Sequence, residues 1–216
     1  MGQVTRENRL WQNWQRSLQP YAVDLESART AFAALVQAYS SPDRYYHTLT
    51  HIHHVLVLLK SLQSHAQNPF TLELAAWFHD AVYNSQASDN EAQSAEYAAQ
   101  VLRSLNLPGA DITTVCHLIL CTKHHHADVH DINAQLLLDT DLSILGAGKK
   151  RYWHYANAIR QEYAWVPEAE YREGRRKVLE TFLYRDRLYW TDAMFTRFEA
   201  IARSNLQAEL QQLSQE

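Results

Sequence analysis

The most unusual local pattern in the sequence is His79 followed by Asp80, inside the otherwise apolar stretch LELAAWFHDAV. An ionised carboxylate buried in such a segment is costly unless another group compensates its charge. A cationic partner or a hydrogen-bonded cap would do so, and so would a divalent metal ion held jointly with the neighbouring imidazole. For an isolated His-Asp pair both explanations stay open.

A second group of histidines precedes this segment, in the sequence YHTLTHIHHV from Tyr46 to Val55. Successive residues of an α-helix turn by about 100°. That rotation puts His51 at the edge of the apolar stripe, with His47 and His54 further round and His53 nearly opposite. We therefore interpret His51 as the inward-facing histidine, whereas a solvated face accounts for His53 and His54.

The third notable segment, LLLDTDLSIL, contains two aspartates, and either could be the one that faces inward. On a helical wheel Asp141 falls in the middle of the apolar arc and Asp139 falls on the side away from it. If the helix begins only at Thr140, Asp139 is either an N-cap or itself the ligand. The helical alternative favours Asp141.

The order His, His-Asp, Asp on successive helices resembles the HD superfamily of metal-dependent phosphohydrolases. The likeness is strongest to its branch of predicted metal-dependent phosphohydrolases and extends over about residues 40 to 191. The segments that carry it are RYYHTLTHIHHVL, AAWFHDAVYN, SDNEAQSAEYA, LLLDTDLSILG and EYAWVPEAEYREGRRKVLETFLYRDRLYWT. The resemblance implies one divalent metal ion bound by four residues, namely His51, His79, Asp80 and Asp141.

Two imidazoles and two carboxylates form a mixed nitrogen and oxygen donor set, which suits Mn²⁺, Fe²⁺, Ni²⁺ or Mg²⁺. No cysteine contributes, which argues against a structural zinc site. A metal ion in such a site lowers the pKa of a water molecule and polarises a phosphoryl oxygen. We expect Asp80 both to bind the metal and to orient the attacking water. Whether a second ion is bound stays open.

A phosphate group also needs cationic donors, and two sets of residues are candidates. His47, Lys123, His124 and His125 lie on segments expected to converge on the site, with His124 or His125 as phosphate ligand or general acid. For His124 and His125 the alternative explanation is a polar helix end. Arg172 and Arg175 are candidates for closing over the substrate, although a charge run on a helix is usually a solvated face.

These residues need a scaffold, and the composition predicts an all-α one. Only 5 glycines and 5 prolines occur in 216 residues, which leaves few turns for a sheet of short strands. We expect one domain over residues 1–216, a helical bundle of the HD type. Its metal-site core covers about residues 40–150, with C-terminal helices over about 150–213 packed on it. The apolar periodicity predicts helices over about 6–40 (two), 49–63, 71–82, 88–105, 111–124, 136–145, 152–163, 168–182 and 192–213.

Charge and composition restrict the partners. A formal net charge of -4 offers no basic field for nucleic acid or anionic lipid, so we expect a small phosphorylated substrate, no nucleic acid polymer and no membrane. Cys116 and Cys121 are five residues apart on one predicted helix and point in different directions, which argues against a disulfide. The N-terminus has no apolar signal segment, so we expect a cytoplasmic protein. The oligomeric state is not predicted.

The leading hypothesis is therefore a phosphohydrolase acting on a nucleotide or another phosphomonoester. A second is a binding module that senses a nucleotide without hydrolysing it. A third is a di-iron oxygenase, which the additional histidines at positions 47, 54 and 124 to 126 keep open.

Overall fold

A computed structural model describes residues 6–215, and these residues form α-helices and short 3-10 turns with no β-strand among them. The all-α prediction is confirmed. The ten helices of the described chain are α1 (Arg6–Ser17), α2 (Leu25–Ala38), α3 (Leu49–Leu62), α4 (Pro69–Phe78), α5 (Asn90–Ser104), α6 (Gly109–Cys121), α7 (Ile132–Asp141), α8 (Lys149–Glu162), α9 (Glu168–Leu183) and α10 (Asp192–Gln215).

Internal contacts divide the chain into two compact units, the first reaching Leu137 and the second starting at Leu138. The division falls inside α7, which runs as one helix from Ile132 to Asp141. The expectation of a single domain over residues 1–216 stays a prediction, and its residues 1–5 and 216 lie outside the described part of the chain.

The first unit is built around α4, whose residues from Thr71 to Phe78 are all buried. Because this helix is apolar on every side, other helices must cover it completely, and α1, α3, α5 and α6 pack against it. Asn68 caps its start by accepting hydrogen bonds from the backbone N–H groups of Phe70 and Thr71. The core helix thus begins at a capped end and stops directly before the His-Asp pair.

The predicted helix over 71–82 ends four residues early, at Phe78. His79 still donates its backbone N–H to Ala75, but Ala81 already bonds back to Phe78 in a tighter turn. The next residue, Val82, exchanges two hydrogen bonds with the Ser94 hydroxyl instead of continuing the helix. Asp80 therefore lies in a turn and is half-buried, so its placement inside a helix was wrong.

The predicted helix over 136–145 is shifted towards the N-terminus. The α-helix α7 ends at Asp141 and is followed by a 3-10 turn, Leu142–Gly146. This turn packs against α8 and α10 within the second unit. A Cβ atom at Gly146 would lie 2.6 Å from Cβ of Phe198, so the close approach of α10 requires glycine at this position.

The helices predicted for the last third of the chain are confirmed with small changes at their ends. In the second unit, Asn205 ties α10 to the 3-10 turn by donating hydrogen bonds to the carbonyls of Leu145 and Ala147. No helix in residues 6–215 combines the length and apolar character that crossing a membrane requires.

Candidate metal centre

His51 lies in the first turn of α3 and points into the protein. Thr48 caps this helix by accepting a hydrogen bond from the backbone N–H of Thr50. The apolar stripe of α3, which includes Ile52 and Val55, is buried and carries His51 with it. The side chain is only 3% exposed, as the helical wheel predicts.

His79 is the C-cap residue of α4, and its ring is oriented by the helix that precedes it. The Nδ1 atom lies 3.0 Å from the carbonyl oxygen of Ala76, which can only accept a hydrogen bond. Nδ1 therefore carries the proton, and in the neutral ring Nε2 carries the free lone pair. A backbone carbonyl that holds Nδ1–H in this way is the usual second partner of a histidine that binds metal through Nε2.

The imidazoles of His51 and His79 converge with the carboxylate of Asp80. Nε2 of His51 lies 3.3 Å from Nε2 of His79. Oδ2 of Asp80 lies 3.1 Å from the latter atom and 3.6 Å from the former. Three atoms that can each present a lone pair thus lie within 3.6 Å of one another. Such an arrangement stabilises a cation placed between them.

Asp141, the fourth ligand that the family resemblance implies, is half-buried at the last position of α7. It belongs to the second unit, whereas His51 and His79 belong to the first, and its part in the site stays a prediction. Within the first unit, the buried His51 and His79 form a possible metal-binding group together with Asp80.

The competing aspartate, Asp139, is fully buried and its two oxygens are engaged elsewhere. Oδ1 accepts a hydrogen bond from the backbone N–H of Trp190, and Oδ2 accepts from both the N–H and the hydroxyl of Thr191. Burial raises the pKa of Asp139 to about 6, against the lowering effect of these hydrogen bonds. Asp139 therefore has a structural role in holding the segment that precedes α10.

Aromatic rings and a further histidine surround the histidine pair. The ring of Tyr46 lies 4.8 Å from that of His51. The ring of His47 lies 6.2 Å from His51 and stacks at 4.2 Å on Tyr83. The structure thus brings His47 close to the predicted metal ligands, whereas sequence reasoning did not identify the two tyrosines.

Arg44, which no sequence pattern singled out, is almost completely buried. Its guanidinium donates hydrogen bonds to the backbone carbonyls of His47, Asp80 and Ala81. No local pattern distinguishes this arginine from an exposed one. The only available signal was its position at the start of the histidine-rich segment RYYHTLTH.

The remaining histidines of α3 differ in exposure. His54 is exposed, as expected for a solvated face. His53 is instead half-buried, and its Nδ1 atom has no hydrogen-bond partner among the described residues. Burial lowers the pKa of His53, and the positive charges of Arg6 and Arg9 on α1 lower it further. The wheel overestimated the exposure of His53, since Arg6 of α1 reaches this part of α3 and donates a hydrogen bond to the Thr50 hydroxyl.

The predicted phosphate-binding segment Lys123, His124 and His125 forms the turn that follows α6. Lys123 and His124 are exposed and His125 is half-buried. His125 has a φ of 47°, a left-handed conformation that is uncommon outside glycine. Its role and that of its two neighbours stay predictions.

The two arginines predicted to bind substrate lie on α9 in the second unit. Arg175 is buried and forms a two-pronged ion pair with Glu209, with Nε to Oε1 at 2.7 Å and Nη2 to Oε2 at 3.0 Å. Arg172 donates to the backbone carbonyl of Leu213. These contacts favour a structural role for Arg175, and substrate binding by either arginine stays a prediction.

No model of a known protein family and no curated protein matches the chain. The likeness to the HD superfamily therefore rests on the residues of the sequence itself.

Proposed function

We propose that the protein is a metal-dependent phosphohydrolase of the HD type, which cleaves a small phosphate ester with water as the nucleophile. The observation that carries this proposal is the convergence of Nε2 of His51, Nε2 of His79 and Oδ2 of Asp80. The carbonyl of Ala76 prepares one of these nitrogens to act as an electron-pair donor.

The residues present fit a divalent ion. His51, His79, Asp80 and Asp141 would hold it with two nitrogen and two oxygen donors. No cysteine belongs to this group among the described residues, so Mn²⁺, Fe²⁺, Ni²⁺ and Mg²⁺ are better candidates than a structural zinc ion. A single ion explains all four residues. When bound, such an ion lowers the pKa of a coordinated water and polarises the phosphoryl oxygen.

The reaction itself is a displacement at phosphorus. Asp80 orients the water so that its oxygen attacks phosphorus in line with the leaving alkoxide. A new bond from phosphorus to oxygen forms, the ester bond between phosphorus and the alcohol oxygen breaks, and the alcohol leaves with a proton. Of the two protons of the attacking water, one stays on the phosphate product and the other passes to solvent, from which the proton donor is restored. His124 and His125 are the candidates for delivering that proton.

Recognition of the substrate must be local, because the net charge of -4 repels anions at long range. His47 stands beside the histidine pair and can contact a phosphate oxygen when protonated. Lys123, His124 and His125 supply further donors in this proposal. The substrate class is a phosphomonoester, including nucleotides.

Elemental analysis combined with a screen of phosphorylated metabolites tests the proposal. Purified protein supplied with Mn²⁺, Ni²⁺ or Mg²⁺ should release phosphate from at least one ester, and Asp80→Asn should abolish the release. Asp89→Asn makes the same chemical change at an exposed position of the first unit and should leave activity intact.

Three results would contradict the proposal in different ways. Absence of bound metal together with no phosphate release removes its basis. A tightly bound, unhydrolysed nucleotide in mass spectra of the purified protein would instead favour the sensing module. An iron content that corresponds to a di-iron centre would favour oxygenase chemistry.

A further inference from the structure

Arg44 links the two chain segments that carry the histidine pair and Asp80. Its Nη1 atom donates to the carbonyl of His47 at 3.0 Å and to that of Asp80 at 2.6 Å. Its Nη2 atom donates to the carbonyl of Ala81 at 2.8 Å. One guanidinium thus joins two segments. The first contains His47, four residues before His51, and leads into α3; the second is the turn that follows α4.

The environment of Arg44 is unusual for a buried cation. Within residues 6–215, none of its partners is a carboxylate. Its charge is met by the three carbonyl oxygens and by the rings of Tyr39 and Tyr83, whose centroids lie 5.0 and 5.4 Å from Cζ. Its Nε atom is buried and has no hydrogen-bond partner in this part of the chain. Burial of a charge under these conditions is costly, and the hydrogen bonds to the three backbone carbonyls are its main compensation.

Two of these three carbonyls belong to the turn at Asp80. Helix α4 has already ended at Phe78, so the carbonyls of Asp80 and Ala81 receive no helical hydrogen bond. Arg44 supplies the donors that the helix no longer provides. The position of the Asp80 backbone decides where its carboxylate lies. Oδ2 must remain about 3 Å from Nε2 of His79 if both atoms are to bind the same metal ion.

We propose that Arg44 is a positioning residue for the metal centre. Its planar guanidinium holds the His47 and Asp80 backbones together, so that the Asp80 carboxylate and the two imidazoles meet at one point. This inference rests on the metal site proposed above, but not on the identity of the reaction. Arginine is required because its fork reaches three acceptors in fixed directions, whereas the ammonium group of lysine is a single point donor.

The experiment compares Arg44→Lys with wild-type protein stripped of metal. Isothermal titration with Co²⁺ gives the dissociation constant, and the visible absorption of bound Co²⁺ reports the coordination. Loss of an outer partner of a metal ligand typically weakens metal binding by about 10–100-fold, and we expect a Kd increase in this range with an altered spectrum. Arg29→Lys is the matched control, because Arg29 is exposed and its guanidinium lies over the Trp11 ring.

The apo protein separates positioning from general stabilisation. A merely structural role would lower the melting temperature of apo Arg44→Lys and leave the Kd of the folded protein unchanged, and this result would overturn the proposal. A raised Kd in a variant with a wild-type circular dichroism spectrum supports it. Wild-type protein that binds no ion refutes the metal site and the role of Arg44 together. Wild-type protein that binds metal but hydrolyses nothing leaves the Arg44 comparison valid.

If Arg44→Lys does not fold, wild-type protein answers the same question. Coupling between two sites is reciprocal. If the Arg44 hydrogen bonds strengthen metal binding by a given factor, metal binding must stabilise those hydrogen bonds by the same factor. In ¹⁵N-arginine-labelled protein, hydrogen exchange of the Arg44 guanidinium should therefore slow by about 10–100-fold when Mg²⁺ is added. Exchange at an unchanged rate in the metal-loaded protein would overturn the proposal.

Discussion

The substitution Asp80→Asn should remove most of the thermal stabilisation that a divalent ion gives to this protein. A ligand that binds only the folded state stabilises it by RT ln(1 + [L]/Kd), which is about 2.7 kcal/mol at a concentration of 100 Kd. For a chain of this length, each kcal/mol shifts the melting temperature by about 2–4 °C. Wild-type protein should therefore melt about 5–11 °C higher with metal than without it.

The asparagine variant replaces a charged ligand with a neutral amide. Oδ2 of Asp80 lies 3.1 and 3.6 Å from the two imidazole nitrogens, so an amide NH₂ group in its place would point hydrogens towards the space that the ion needs. If metal affinity falls about 100-fold, the same metal concentration stabilises the variant by only about 0.4 kcal/mol. The expected shift is then about 1–2 °C.

Differential scanning fluorimetry of EDTA-treated protein, titrated with Mn²⁺, measures both shifts. Asp89→Asn should behave like the wild type, because Asp89 is exposed. Equal shifts for wild type and Asp80→Asn would refute the assignment of Asp80 as a ligand. No shift in the wild type would refute the metal site.

Other predictions concern separate parts of the molecule. Glu209→Gln leaves Arg175 buried without its anion and should lower the free energy of unfolding in urea by about 3–5 kcal/mol. Glu173→Gln, at an exposed ion pair, should leave the free energy of unfolding nearly unchanged, and similar losses for the two variants would contradict this distinction. Burial raises the pKa of Tyr171 from 10.0 to about 12, so its contribution to stability is complete below pH 10 and is lost as the pH rises towards 12. Phenolate absorbance should show this late ionisation in the wild type and lose it in Tyr171→Phe, and identical titration curves would contradict the assignment. Asp141→Asn should weaken Co²⁺ binding by at least about ten-fold in calorimetry, and an unchanged Kd would exclude Asp141 as a ligand.

Sequence periodicity was sufficient wherever a helix is decided by its own residues. The all-round apolar character of α4 predicts its complete burial, and the rotation per residue separates His51 from the exposed His54. The same reasoning favours Asp141 over Asp139, whose two oxygens are engaged by Trp190 and Thr191 instead. In these cases burial follows from the position of a residue on its own helix.

Sequence reasoning failed where distant groups decide the local structure. Beyond the end of α4 at Phe78, the backbone hydrogen bonds of the next residues are made by the distant Arg44 and Ser94 and not by a continued helix. Asp139 is engaged by Thr191, more than fifty residues later in the chain. None of these three partners leaves a trace in the sequence around the residue it contacts.

The charged residues of α9 are a further case in which the sequence alone does not determine the environment of a side chain. Its sequence offers no means to choose between a solvated face and a functional one. In the structure Arg176 is half-buried and paired with Glu173 and Glu180, while the adjacent Arg175 is buried against Glu209 on α10. A difference of one position on the helix decides between these environments, and only the packing of α10 reveals which arginine turns inward.

Anomalous diffraction from crystals soaked in Mn²⁺ or Co²⁺ tests the central claim most directly, because it locates the ion without reference to any substrate. The metal centre described above predicts one strong anomalous peak, at about 2.0–2.3 Å from Nε2 of His51, Nε2 of His79 and a carboxylate oxygen of Asp80. Absence of a peak at these atoms in metal-soaked crystals, or a peak bound only by other residues, would contradict it.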